Sequence, residues 1–170
     1  WELAFDPKWG GPEKVTFDQL EDWIDRPEEG IKHYSGKATY YKTFDCAQAG
    51  KGDKLFLNLG KVNNMARVNL NGKDLGVVWT TPLEVEITDV VKEKNNQLEI
   101  EVVNLWGNRL IGDEAYEDDG IVDGQWPEWV LKDEERPSKR HTFTSFKHYT
   151  KDSPLQSSGL LGPVTIITQK

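Results

Sequence analysis

The sequence predicts an all-β chain, an antiparallel β-sandwich with one short helix near the amino end, and three observations carry that prediction. Apolar and polar residues alternate at period two in five separate segments, the spacing of strands that bury one face. Turn residues, above all the Asn71-Gly72 pair, separate those segments, as a meander of hairpins requires. Helical periodicity is confined to one short stretch, so the apolar faces must be covered mainly by another sheet. A chain of 170 residues suits one domain.

The elements follow in order. Residues 1–15 hold Pro7, Gly10, Gly11 and Pro12, a density of breakers that predicts an irregular opening segment pinned by Trp1, Phe5 and Trp9. Thr16 and Gln19 form a capping box, and Phe17, Leu20 and Ile24 give a helical stripe that Arg26-Pro27 ends. Residues 28–36 read as a loop. A strand over 38–46 puts Tyr40 and Phe44 on one face; Leu55, Leu57 and Leu59 alternate next, then Ala66, Val68 and Leu70. The Asn71-Gly72 turn returns the chain through Leu75, Val77 and Trp79. Leu83, Val85 and Ile87 make another strand, residues 88–91 one helical turn, and Leu98, Ile100 and Val102 a further strand. Residues 164–168 form the last one. The expected layout is therefore an opening segment with its helix (1–35), core strands (36–104), a long acidic loop region (105–140) and final strands (141–170).

Charge narrows the function classes. Lys plus Arg number 21 against 29 Asp plus Glu, a net charge of −8, which argues against nucleic acid as a partner. Cys46 has no second cysteine to pair with and reads as a small hydrophobe near a strand end. No apolar run approaches a membrane span of about 18 residues, so a soluble chain with no membrane partner is expected. The chain begins at Trp1 and its one methionine is Met65, which predicts an excised or processed piece, so that any export signal could have been lost with the missing part.

Residues 113–135 carry ten acids against the single base Lys132. A solvated loop is the preferred reading of that run over a calcium site or a partner surface. No cofactor is expected, with structural calcium in the acidic loop as the alternative. Glycoside hydrolysis needs two carboxyls held across a sugar; Glu84 and Glu86 alternate with apolar residues and so face solvent, while the acidic run offers no regular element to hold a pair. No catalytic residue and no metal ligand set is assigned. His33, His141 and His148 lack metal spacing, and His141 or His148 as a sugar hydrogen-bond donor is weighed below an ordinary satisfied histidine.

Seven tryptophans stand out, because sugar rings present apolar C–H faces that stack on aromatic rings. Trp9, Trp23 and Trp79 are expected in the core or at its rim. Residues 106–138 have no clear period and are long for a connection, and an acidic, tryptophan-rich stretch is costly to order without a partner. Trp106, Asn108, Arg109, Trp126 and Trp129 are therefore the candidate contacts to carbohydrate or to another domain. The competing reading of Asn108 and Arg109 is that they close the loop by bonding its carbonyls and Asp113.

The order of motifs resembles a known architecture. Tyr40-Tyr41-Lys42-Thr43-Phe44, Leu57-Asn58-Leu59-Gly60-Lys61-Val62, Ala66-Arg67-Val68-Asn69-Leu70-Asn71-Gly72, Ile87-Thr88-Asp89-Val90-Val91 and Asn96-Gln97-Leu98-Glu99-Ile100-Glu101-Val102 resemble the sugar-binding, galactose-binding-like jelly roll of glycoside hydrolase family 2. Asn104-Leu105-Trp106-Gly107-Asn108-Arg109-Leu110-Ile111-Gly112-Asp113 and Ser158-Gly159-Leu160-Leu161-Gly162-Pro163-Val164 are similar to the carboxy-terminal β-sandwich of family 106 α-L-rhamnosidases, large exported bacterial enzymes. The resemblance implies a non-catalytic accessory domain of a periplasmic or extracellular enzyme, its catalytic acids on a separate barrel, and a monomer when isolated. The partner would be plant-type glycan or the parent catalytic domain. A free-standing carbohydrate-binding module is the alternative.

Overall fold

The computed structural model describes residues 1–169 and is built mainly of antiparallel strands. Strands β1 (Glu2–Phe5), β2 (Val15–Thr16), β3 (Lys37–Phe44), β6 (Met65–Leu70), β7 (Lys73–Val78) and β9 (Asn96–Val103) form one six-stranded sheet in the order β2-β1-β3-β9-β6-β7. Facing it are a three-stranded sheet, β11-β4-β8, of β4 (Lys54–Asn58), β8 (Glu84–Glu86) and β11 (Thr165–Gln169), and a two-stranded one pairing β5 (Lys61–Asn63) with β10 (Gly159–Gly162).

The period-two pattern explains which side chains go inward. Tyr40 pairs across from Ile100, and Val68 lies on the other side of that same Ile100; all three are fully buried. Leu70, Leu98 and Val102 join them from the large sheet, and Leu55, Leu57 and Val85 meet them from the opposite one. Glu84, Glu86 and Glu99 alternate outward, as a strand with one wet face requires. At the hairpin, Asn71 and Gly72 take φ values of 54° and 82°, the positive pair that a two-residue turn of matching twist demands. Residues 88–91 form the expected turn, with the Val90 and Val91 amides donating to the Ile87 carbonyl at 3.0 and 2.9 Å.

Three local expectations near the amino end are corrected. Residues 17–24 are not a helix, because Val15–Thr16 pair with β1 and the Trp1 and Phe17 backbones exchange two hydrogen bonds of 2.9 Å; strand pairing takes the groups a helix would need. Only a 3₁₀ turn, Trp23–Asp25, follows, with the Asp22 carboxylate accepting from the Ile24 amide. The short amino-terminal helix lies later, at α1 (Glu29–Lys32), inside the predicted loop. The opening segment is not wholly irregular, since β1 joins the large sheet at the predicted anchor Phe5.

The long acidic region contains α2 (Gly107–Asp113) and α3 (Glu128–Leu131). Trp79, expected at the core or its rim, is 70% exposed: a register shift opposite Val68, with Gly76 at φ 94°, displaces the alternation of β7 so that Val78 rather than Val77 packs inward. Trp23 is fully buried and donates its indole N–H to the Tyr40 hydroxyl at 2.7 Å, whereas Trp9 sits half-exposed. Cys46 is buried at the end of β3, as expected of a small hydrophobe.

Candidate functional site

Helix α2 is short, and its burial is unusual for a polar segment: Asn108, Arg109 and Asp113 are all withdrawn from solvent. Buried polar groups must find partners, and theirs lie on distant parts of the chain. The Asn108 amide donates to the Gln156 carbonyl and accepts from the Gln156 amide, both at 2.7 Å. Arg109 Nε donates to the His33 carbonyl at 2.8 Å, and its Nη1 lies 3.6 Å from Asp113 Oδ1. Asp113 Oδ2 accepts from the His141 amide, the Thr142 amide and the Thr142 hydroxyl at 2.9, 2.7 and 2.7 Å. The short helix thus ties together the end of α1, the irregular segment leading to β10 and residues 141–142.

Glycines let these pieces meet. A Cβ on Gly112 would fall 2.7 Å from the His33 side chain, and one on Gly30 would overlap the Gly10 carbonyl oxygen at 2.1 Å. Without those atoms, α1, α2 and the loop at Gly10 close around a cleft of about 400 Å³ whose wall includes Arg109, His33, His141, Glu29, Tyr116 and Lys151. His33 Nδ1 lies 3.1 Å from Glu29 Oε2. Burial pushes the His33 imidazole below its ordinary pKa, and burial followed by the Arg109 charge does the same to His141, so both favour the neutral form.

Trp106 caps α2 and is 51% exposed, its ring edge-on to Trp9 with centroids 5.5 Å apart. Trp9 precedes Gly10, and a Cβ on Gly10 would come 3.1 Å from the His141 imidazole and 3.9 Å from Arg109 Nη1. The aromatic pair therefore stands one residue and one helical turn from the cleft wall. Asn108 serves a smaller amide-rich hollow shared with Asn63, Asn104 and Gln156.

Trp126 and Trp129 form a separate cluster. Trp126 stacks on Phe143 at 5.6 Å and 4°, and Trp129 meets the same ring edge-on at 6.0 Å. Arg136 grips Asp119 through Nε and Nη2 at 2.6 and 2.7 Å and lies over the Trp129 ring, while the Trp129 indole donates to the Asp119 carbonyl. The Arg136 contact holds the Asp119 carboxyl below the usual range; for Asp118 the Gly120 amide does so first, Lys147 second. Arg140 bonds the Asp113 carbonyl and the carboxylates of Glu114 and Asp118.

The structure thus brings Trp106 and Arg109 toward one cleft, and places Trp126 and Trp129 in another cluster. Glu29, His33, Tyr116 and Lys151 were not legible as cleft residues in the sequence; the one signal was the set of glycines at 10, 30 and 112. Among the described residues no three His, Cys, Asp or Glu side chains gather as a metal site. Glu84 and Glu86 engage Asn58 and Lys54 on the sheet surface.

Residues 20–146 match the model of the glycosyl hydrolase 2 galactose-binding domain-like family. A protein of Formosa agariphila described as a putative beta-glucuronidase is 44% identical over 172 residues, spanning 98% of this chain and 15% of its own length. The rhamnosidase of Novosphingobium sp. PP1Y superposes with a TM-score of 0.81 at 35% identity, over 99% of this chain and 14% of that one. A Ruminococcus gnavus β-glucuronidase shares the fold alone, with a TM-score of 0.52 at 21% identity over 61% of this chain and 20% of its own. The chain spans about one seventh of the length of the first two relatives.

Proposed function

Because the chain belongs to the galactose-binding domain-like family of glycosyl hydrolase 2, we propose that it works as a non-catalytic, carbohydrate-binding-like accessory domain of a larger exported glycoside hydrolase resembling an α-L-rhamnosidase. The observation that carries this reading is the likeness to the Novosphingobium rhamnosidase, which spans α2 and the final strands as well as the sandwich. Those regions include the outer motifs at 104–113 and 158–164. The β-glucuronidase of similar fold covers much less of the chain.

The surface supports a domain built to sit against others. Trp79, Leu105, Trp106, Leu131 and Phe146 are each more than half exposed, and apolar groups left in water are stabilised when a neighbour covers them. Asp113, Glu114, Asp118 and Asp119, by contrast, are held by internal partners such as Arg136 and Arg140, which suits a supporting role rather than proton transfer. Contact with glycan or with the catalytic domain is assigned to Trp106, Arg109, Trp126 and Trp129, while Asn108, bonded through both ends of its amide to Gln156, holds that surface together; the parent is taken to act in the periplasm or outside the cell.

The test compares the isolated 170-residue chain with the full-length parent on aryl α-L-rhamnoside and aryl β-D-glucuronide. The chain alone should leave both intact, and the parent should cleave the rhamnoside. Cleavage of the glucuronide alone by the parent would overturn the rhamnosidase assignment. Turnover by the isolated chain, lost on replacing one of its own acids, would overturn the accessory role.

A further inference from the structure

We propose that the cleft over Arg109 binds an uncharged sugar residue, with Arg109, His33, His141 and Tyr116 reading its hydroxyls and the Trp9–Trp106 pair meeting an apolar C–H face. This rests on the carbohydrate-binding reading above and narrows it to neutral sugars in preference to uronates or phosphates.

The first observation is a set of unspent donors. Arg109 is 5% exposed, yet its hydrogen bonding is satisfied at Nε alone: no Nη N–H has an acceptor within hydrogen-bonding distance among the described residues, the Asp113 oxygen standing off at 3.6 Å. A guanidinium has five N–H donors, and the Nη groups are not among the fully buried side-chain atoms without a partner, so they keep contact with solvent. Arg109 lines the cleft, so an oxygen entering it meets those donors.

The second observation is the charge around them. Arg109 and Lys151 line the cleft with Glu29, and Asp113 stands behind Arg109, so the formal charges cancel. With both imidazoles favouring the neutral form, no surplus cation awaits an anion. A carboxylate or phosphate would shed its water beside Asp113 and Glu29 with no net compensation. A hydroxyl both donates and accepts. Its oxygen can accept from an Arg109 N–H while its own O–H donates to His33, whose neutral ring keeps Nε2 as an acceptor when Nδ1–H faces Glu29.

The third is the aromatic rim. Sugars carry C–H faces that aromatic rings cover, and Trp9 with Trp106 supplies such rings beside the cleft, one residue before the cleft-lining Gly10 and three before Arg109. At about 400 Å³ the cleft is at the small end of ligand sites.

The experiment is an NMR titration of the 170-residue chain with methyl α-L-rhamnoside, sodium D-glucuronate and inorganic phosphate, following the indole N–H signals of Trp9 and Trp106 and the imidazole signals of His33 and His141. The glycoside should shift all four with a dissociation constant of about 1 mM, unchanged between about 20 and about 300 mM salt; glucuronate and phosphate should bind at least about tenfold more weakly. Arg109→Gln should weaken the glycoside about tenfold. Since removing a buried cation beside Asp113 can unfold the chain, the exposed Trp106→Ala and Tyr116→Phe variants are measured as well, each expected about threefold weaker. Tighter binding of either anion, or shifts confined to other surfaces, would overturn the cleft assignment while the parent assays still judged the accessory role. No shift with any probe would also overturn it.

Discussion

Tyr40 shows how much one side chain decides. Its ring lies in the six-stranded sheet between Phe17 and Trp1, and its hydroxyl is the shared acceptor of the buried Trp23 indole N–H at 2.7 Å and the Leu160 amide at 3.0 Å. The hydroxyl thereby links the large sheet to the 3₁₀ turn and to β10. Burial pushes its pKa upward, well beyond the ordinary range of a tyrosine, so it stays protonated and can serve as acceptor and donor alike. Tyr40→Phe keeps the ring but strands two donors, and should cost about 1 to 3 kcal/mol for each. Ile100→Ala, which empties the centre of the same sheet, should cost about 2 to 5 kcal/mol through transfer and cavity terms together. Urea unfolding of both variants checks these values; a Tyr40→Phe midpoint equal to the parent's would mean that the donors find other partners.

At the scale of elements, what the sequence reveals depends on whether a segment's partner is written in its own periodicity. Strands β3, β4, β6 and β9 announce themselves because each buries one face, and Asn71-Gly72 fixes a turn by backbone sterics alone. Residues 16–24 carry an equally good helical stripe, but Phe17 is buried, and Leu20 partly so, by a strand and turn rather than by a helix; long-range pairing with β1 outweighs local propensity. Helix α2 was illegible for the opposite reason. Its buried face is polar, Asn108, Arg109 and Asp113, so no hydrophobic period marks it, and its partners at residues 33, 141, 142 and 156 are distant in sequence. The candidate contacts at 106, 108, 109, 126 and 129 could be read from composition, whereas their separation into a cleft, an amide hollow and an aromatic cluster depends on tertiary contacts. Asp113 is the test of this element. Asp113→Ala removes three hydrogen bonds to residues 141 and 142 and leaves Arg109 buried without its counter-charge, which should cost about 3 to 5 kcal/mol. Limited proteolysis should then cut within residues 114–142 before the sandwich is touched. Unchanged cleavage would show that Arg136 and Arg140 hold the segment without Asp113.

For the molecule as a whole, the sum of these local environments sets how stability follows pH. Residues 113–135 carry −9, so the net charge of −8 is theirs with the rest of the chain at +1, and that segment is folded down by Arg136, Arg140 and Lys147. The Gly120 amide and then Lys147 keep the Asp118 carboxyl depressed, and Arg136 does the same for Asp119. A carboxyl whose folded pKa is lowered contributes stability that is present above the unfolded value, about 3.9, and is lost as pH falls through the folded one. His33 and His141 act in the same sense for a different reason. Their folded pKa values are also lowered, chiefly by burial, so below about 6.5 the unfolded chain takes up protons that the folded chain resists, and stability drops on acidification. Tyr34 and Tyr40, both raised by burial, reverse the trend above about pH 10, where the unfolded phenols ionise first. The urea midpoint should therefore climb in two steps, near pH 4 and near pH 6.5, level off toward pH 8, and fall beyond pH 10. In the His33→Gln/His141→Gln variant the step near 6.5 should vanish while the one near 4 remains. A midpoint that falls as pH rises from about 5 to 7 would mean that the imidazoles are charged in the fold, and the neutral character assigned to the cleft would go with it.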